Sequence, residues 1–113
     1  MDKTTKYRQL IKSLLAKYAE LVSRQPDPKI EPHLIFDEEH DEYIWLKTGW
    51  SDHRRVHGAT LHLRLKNGKI WIEQDWTEDG IATDLLQAGV PHNDIVLAFY
   101  DPEIRSMSEF AVN

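Results

Sequence analysis

Leu61-His62-Leu63-Arg64-Leu65-Lys66-Asn67-Gly68-Lys69-Ile70-Trp71-Ile72-Glu73-Gln74-Asp75 places Asn67-Gly68 between two runs in which apolar and polar residues alternate. Two strands joined by a two-residue loop need positive φ at both loop positions, and Asn followed by Gly meets that need at least cost. The loop sets Lys66 opposite Lys69. Leu65 then faces Ile70, Leu63 faces Ile72 and Leu61 faces Gln74 on an apolar side. Arg64 with Trp71, His62 with Glu73 and Thr60 with Asp75 fall on the other side, pairing a cation with an aromatic ring and opposite charges with each other.

Working outward, Tyr7, Leu10, Ile11, Leu14, Leu15, Tyr18, Leu21 and Val22 recur at three- and four-residue spacing. This predicts an amphipathic helix from Thr4 to Ser23, stopped before Gln25-Pro26-Asp27-Pro28. Ile30 to Phe36 reads as a first strand, which Pro32 either places at a sheet edge or delays in starting. An acidic connection, Asp37 to Glu42, leads to a second strand from Tyr43 to Trp50 and a short turn over Ser51-Asp52-His53. The Asn-Gly hairpin supplies strands three and four, from Arg54 to Trp76. A second helix begins between Thr77 and Gly80, with Thr77 or Asp79 as N-cap. Its apolar face is Ile81, Leu85 and Leu86, and it ends at Gly89 before Pro91. Asp94 to Tyr100 is a fifth, apolar strand. Pro102 to Asn113 forms a helical turn and docks Phe110 and Val112. The expected architecture is one α+β domain over residues 1–113. In it the N-terminal helix packs on an antiparallel meander of about four strands, followed by the second helix and fifth strand.

The chain has 113 residues, no cysteine and a formal net charge of −5. Disulfides, thiol nucleophiles and thiolate zinc sites are excluded, and the composition suits a reducing cytoplasm. No apolar run approaches the length of a membrane span, so no membrane association is expected. Charge is unevenly spread: residues 54–70 hold five Lys/Arg and no acid, residues 71–113 one against nine. A net acidic chain is a poor holder of DNA phosphates, while its basic block leaves room for a local acidic contact.

No catalytic or metal centre is expected, and no cofactor. His53 and His57 flank a strand start, where a spacing of four does not converge; His57 and His62 point to opposite faces. A restriction-type nuclease needs a Glu-x-Lys strand, which occurs nowhere in the chain. Asp75, Glu78 and Asp79 are clustered carboxylates that could take a hard cation, but the simpler reading is one strand residue and two first-turn helix acids. None of the five serines sits in a nucleophile elbow. The residues marked out for partner binding are Arg54, Arg55, Arg64, Lys66, Lys69 and Trp71, since Trp and Arg dominate interface hot spots.

Several stretches, taken in order, carry a family resemblance. They are Lys6-Tyr7-Arg8 with its helix, Gly49-Trp50, Arg54-Arg55-Val56-His57-Gly58, Lys66 to Ile72 and Gly80-Ile81-Ala82. Ala88-Gly89-Val90-Pro91, Asp94 to Phe99 and Glu109-Phe110-Ala111-Val112 complete the set. Together they resemble the XisI-like proteins, the fdxN-element excision controlling factors of cyanobacteria. The resemblance implies an accessory role in site-specific excision of a DNA element during heterocyst development. It also implies a second small protein, XisH, as partner, and carries no catalytic residues. A direct nucleic-acid-binding regulator using the basic block is the alternative expectation, and a metal-dependent enzyme at Asp75 a further one. A homodimer is also compatible with an exposed apolar sheet surface.

Overall fold

The computed structural model describes residues 2–24 and 27–113. Helix α1 spans Lys3–Ser23, started by the Asp2 carboxylate, which accepts the Thr5 N–H at 2.8 Å. The expected stop signal partly falls on Gln25 and Pro26, outside the described residues. Strands β1 (Ile30–Asp37), β2 (Glu42–Ser51), β3 (Arg54–Lys66) and β4 (Lys69–Asp75) follow. Then come α2 (Ile81–Gln87), β5 (Ile95–Leu97) and α3 (Pro102–Arg105). The sheet order is β1-β2-β3-β4-β5. The first four strands form the expected antiparallel meander, with Pro32 on the edge strand. β5 joins β4 in parallel, after α2 has carried the chain back along the sheet.

One sheet face carries the core. Tyr7, Ile11 and Leu15 of α1 lie against Tyr43, Trp45, Leu61, Leu63, Leu65, Ile70 and Ile72, with Ile81 and Leu85 of α2 closing the cluster. Three tyrosines tie neighbouring elements together: Tyr7 of α1 donates to Asp94 just before β5 and Tyr18 of α1 to Asp84 of α2, both at 2.5 Å, and Tyr43 of β2 donates to Asp41 in the β1–β2 connection at 2.8 Å. Burial, reinforced by each carboxylate, pushes all three phenols up to about 12. Asp41 also accepts a two-pronged contact from Arg8, Nε at 2.9 Å and Nη2 at 3.2 Å, which holds its carboxyl below the ordinary value.

The hairpin keeps the expected register from Lys66↔Lys69 through Leu63↔Ile72, and then departs from it. A bulge places His62 opposite Gln74 and Leu61 opposite Asp75, so the expected pairs Leu61–Gln74, His62–Glu73 and Thr60–Asp75 do not form. Glu73 is the extra residue. One inserted residue reverses the alternation beyond it and swings Asp75 to the helix-bearing face. There its Oδ2 accepts the Ile81 N–H at 2.7 Å, and Oδ1 accepts from the Thr77 N–H at 2.9 Å and hydroxyl at 2.5 Å. The side chain that caps α2 is therefore Asp75, six residues before Ile81. Thr77 and Asp79 do not cap it, and Gly80 stands at the N-cap without a side chain. His62 turns instead to Glu42, with Nε2 at 3.0 Å from Oε1.

The expected strand from Asp94 to Tyr100 contracts to Ile95–Leu97, because the chain turns directly after Leu97, where the Tyr100 N–H donates to the Leu97 carbonyl at 3.1 Å. Phe99 and Tyr100 lie exposed beyond it. At the C-terminal end Phe110 packs against the core and Ala111 bridges Val96, whereas Val112 stays exposed and does not dock.

Candidate functional site

β2 and β3 continue past the end of β4, which reaches only to Leu61, with β1 alongside β2 as far as Gly49, and the last two pairs project as a hairpin tip. Its turn is a two-residue loop, Asp52-His53, with φ of 48° and 67°, joining the Ser51↔Arg54 pair. This is the conformation that Asn67-Gly68 adopts at the other hairpin, here imposed on residues that favour it less. Behind the loop Trp50 pairs across the strands with Arg55, whose guanidinium carbon lies 5.4 Å from the indole centroid. Trp50 is 54% exposed. Its N–H donates to the Lys29 carbonyl at 3.1 Å, which draws the Lys29 backbone alongside the tip. That close approach requires glycine at the preceding position. Gly49 has φ of 153°, and a Cβ there would meet the Lys29 oxygen at 2.0 Å.

The result is a cationic, aromatic surface at one end of the molecule. Lys29, Trp50, Asp52 and His53 line an open pocket, with Arg54 and Arg55 exposed beside it. Among the described residues neither arginine has a carboxylate within 4.0 Å.

The other marked residues lie at the opposite end of β3, roughly 35 Å away at the usual strand rise. They are engaged within the fold. Arg64 lies 3.6 Å from Glu42 and 3.5 Å from Glu73. Trp71 donates its Nε1–H to the Lys66 carbonyl at 3.2 Å, and its ring is flanked by Lys66 Nζ at 4.9 Å and Arg105 Cζ at 5.7 Å. Lys69 Nζ contacts the Asn113 backbone oxygen at 2.5 Å. The six residues thus divide into Arg54 and Arg55, which have no carboxylate partner among the described residues, and a group of four engaged with β2, with the hairpin itself and with the C-terminal segment. Trp50 and Lys29, which the sequence reading left out, complete the first group. The signal for Trp50 was its position across the turn from Arg55.

Among the described residues no three His, Asp or Glu side chains gather to hold a metal ion. Both Asp75 oxygens are occupied by the cap of α2, while Glu78 and Asp79 point to solvent. No described helix is long and apolar enough to cross a membrane.

The family model for the XisI protein matches residues 1–112. A crystal structure of the fdxN element excision controlling factor XisI from Anabaena variabilis is 43% identical with a TM-score of 0.87, covering 99% of this chain and all 100% of that one. A XisI-like protein from the same organism is 36% identical with a TM-score of 0.88, covering 96% of this chain and 98% of its own. No curated protein matches the chain. A family model spanning almost every residue, and two crystal structures that share the fold end to end at these identities, establish that the chain belongs to the XisI family.

Proposed function

We propose that this XisI-family chain is a non-enzymatic controlling factor in the excision of a DNA element, acting by binding a protein partner of the XisH kind through the β2–β3 tip. The observation that carries this reading is the half-exposed Trp50 beneath Arg55, with Arg54 unpaired beside it. A tryptophan held by a flanking guanidinium offers a large rigid contact at little entropic cost, and it asks for an apolar notch ringed by carboxylates on the partner. The net charge of −5 disfavours phosphate-rich DNA as the main partner.

Co-purification with the XisH-like protein tests the reading. Trp50→Ala and Arg54→Ala each weaken the complex by about 2 kcal/mol, roughly thirtyfold, whereas Trp71→Ala at the far end leaves it intact. The same tip composition, aromatic plus cationic, also stacks nucleic-acid bases. A chain that ignores the protein but shifts single-stranded DNA, with affinity falling steeply as salt rises, replaces the first reading with direct nucleic-acid binding.

A further inference from the structure

β1 is an edge strand with no neighbour on its outer side among the described residues. In the β1–β2 ladder the Trp50 N–H bonds to the Lys29 carbonyl, so hydrogen-bonded pairs recur at the odd-numbered β1 residues. Pro32, which has no N–H to give, agrees with this phase: its even-numbered position turns the missing donor outward. Leu34 and Phe36 therefore direct both N–H and C=O away from the sheet. They and Ile35 between them are exposed to 39%, 39% and 45%. Natural edges are blunted by proline, charge or a bulge. Pro32 blunts the first half of β1; nothing of the kind interrupts Leu34-Ile35-Phe36.

We infer that β1 pairs antiparallel with β1 of a second copy of this chain, on a two-fold axis through Ile35, giving one continuous ten-stranded sheet. This register sets Leu34 opposite Phe36 of the second copy and Phe36 opposite its Leu34. All four outward N–H groups and their carbonyl partners are then satisfied and Pro32 is left outside the pairing. Shifting the axis to Leu34 satisfies the same four N–H groups but draws Pro32, which has no N–H to return, into the pairing opposite Phe36. Side chains agree with the same choice. Ile35 meets its own copy on the open sheet face, flanked on both sides by His33 against Asp37, whose polar atoms are already engaged within each chain by Thr48 and by His40. Leu34 and Phe36 meet on the face that carries α1. The matching is isologous, as a two-fold requires, and an unrelated partner would have to reproduce it.

The overlap is short, so the dimer is weak, with a dissociation constant on the order of 10–100 µM. Sedimentation equilibrium of the full chain tests it. The weight-average mass rises from the 13.3 kDa of the monomer toward twice that value as concentration increases through this range. Ile35→Lys brings two ammonium groups together on the axis, and Leu34→Pro removes an outward N–H that the β1–β2 ladder does not use. Each abolishes the rise while circular dichroism stays that of the folded monomer. Should Leu34→Pro fail to fold, Ile35→Lys, a change at an exposed position, decides alone. A mass that stays at the monomer value up to about 1 mM overturns the inference. So does a dimer that Ile35→Lys leaves at wild-type strength.

Discussion

Replacing Asp75 by alanine is the sharpest test of how this fold uses its acidic residues. The carboxylate accepts the Ile81 N–H at 2.7 Å and two donors from Thr77, at 2.9 and 2.5 Å. Ile81 is fully buried, so its N–H, one of the orphan donors of α2, is left without a partner when Asp75 is truncated. An unsatisfied buried donor costs about 1–3 kcal/mol. The Thr77 groups recover water and add no more than about 1 kcal/mol between them. The expected loss is therefore about 1–4 kcal/mol, or roughly 4–15 °C in Tm for a domain of this size. Asp75→Asn keeps an acceptor oxygen and loses about 1 kcal/mol. The assay is urea and thermal unfolding followed by far-ultraviolet circular dichroism, with Mg²⁺ and with a chelator. The predicted cost is the same in both. An Asp75→Ala protein within about 0.5 kcal/mol of wild type refutes the capping account. A wild-type Tm raised by Mg²⁺, with the rise lost in Asp75→Ala, returns Asp75 to the role of a metal ligand.

Asp41→Asn loosens the clamp on Arg8 and Tyr43 and lowers stability by about 2 kcal/mol at neutral pH. Because the folded carboxyl lies below its ordinary 3.8, that contribution is complete above 3.8 and disappears as pH falls through the lowered value, so acid titration of both proteins brings their stabilities together. Tyr7, Tyr18 and Tyr43, raised from 10.0 to about 12, bind their protons more tightly folded than unfolded. Stability that they contribute below pH 10 is lost on the way to pH 12, and phenolate absorbance shows their ionisation coinciding with unfolding. Gly49→Ala drives a Cβ against the Lys29 carbonyl at positive φ and costs about 2–4 kcal/mol, read from urea midpoints.

The sequence carried the fold through its strong local signals. Asn67-Gly68 located a hairpin and its register, the three-four spacing of Tyr7 to Val22 located α1, and Pro32 admitted an edge position. What it did not carry was the bulge. Glu73 and Gln74 are both polar, so the apolar alternation that would expose an inserted residue has already ended where the insertion falls. The missed cap and the His62 partner both descend from that one residue. The interaction surface was half legible for a similar reason. Arg54-Arg55 stood out as unpaired charge, but choosing Trp50 over Trp71 depends on lengths: β3 outruns β4 at one end, and α3 folds back over Trp71 at the other. Neither is a property of the residues themselves.

Calorimetric titration of the XisH-like protein into wild type and into Arg54→Glu/Arg55→Glu tests the proposed binding of an acidic protein partner by the β2–β3 tip. Saturable binding is expected for wild type, with a loss of at least about a hundredfold on charge reversal, since like charges at an interface cost several kcal/mol. Undiminished binding by the reversed variant, or no binding by wild type, contradicts it.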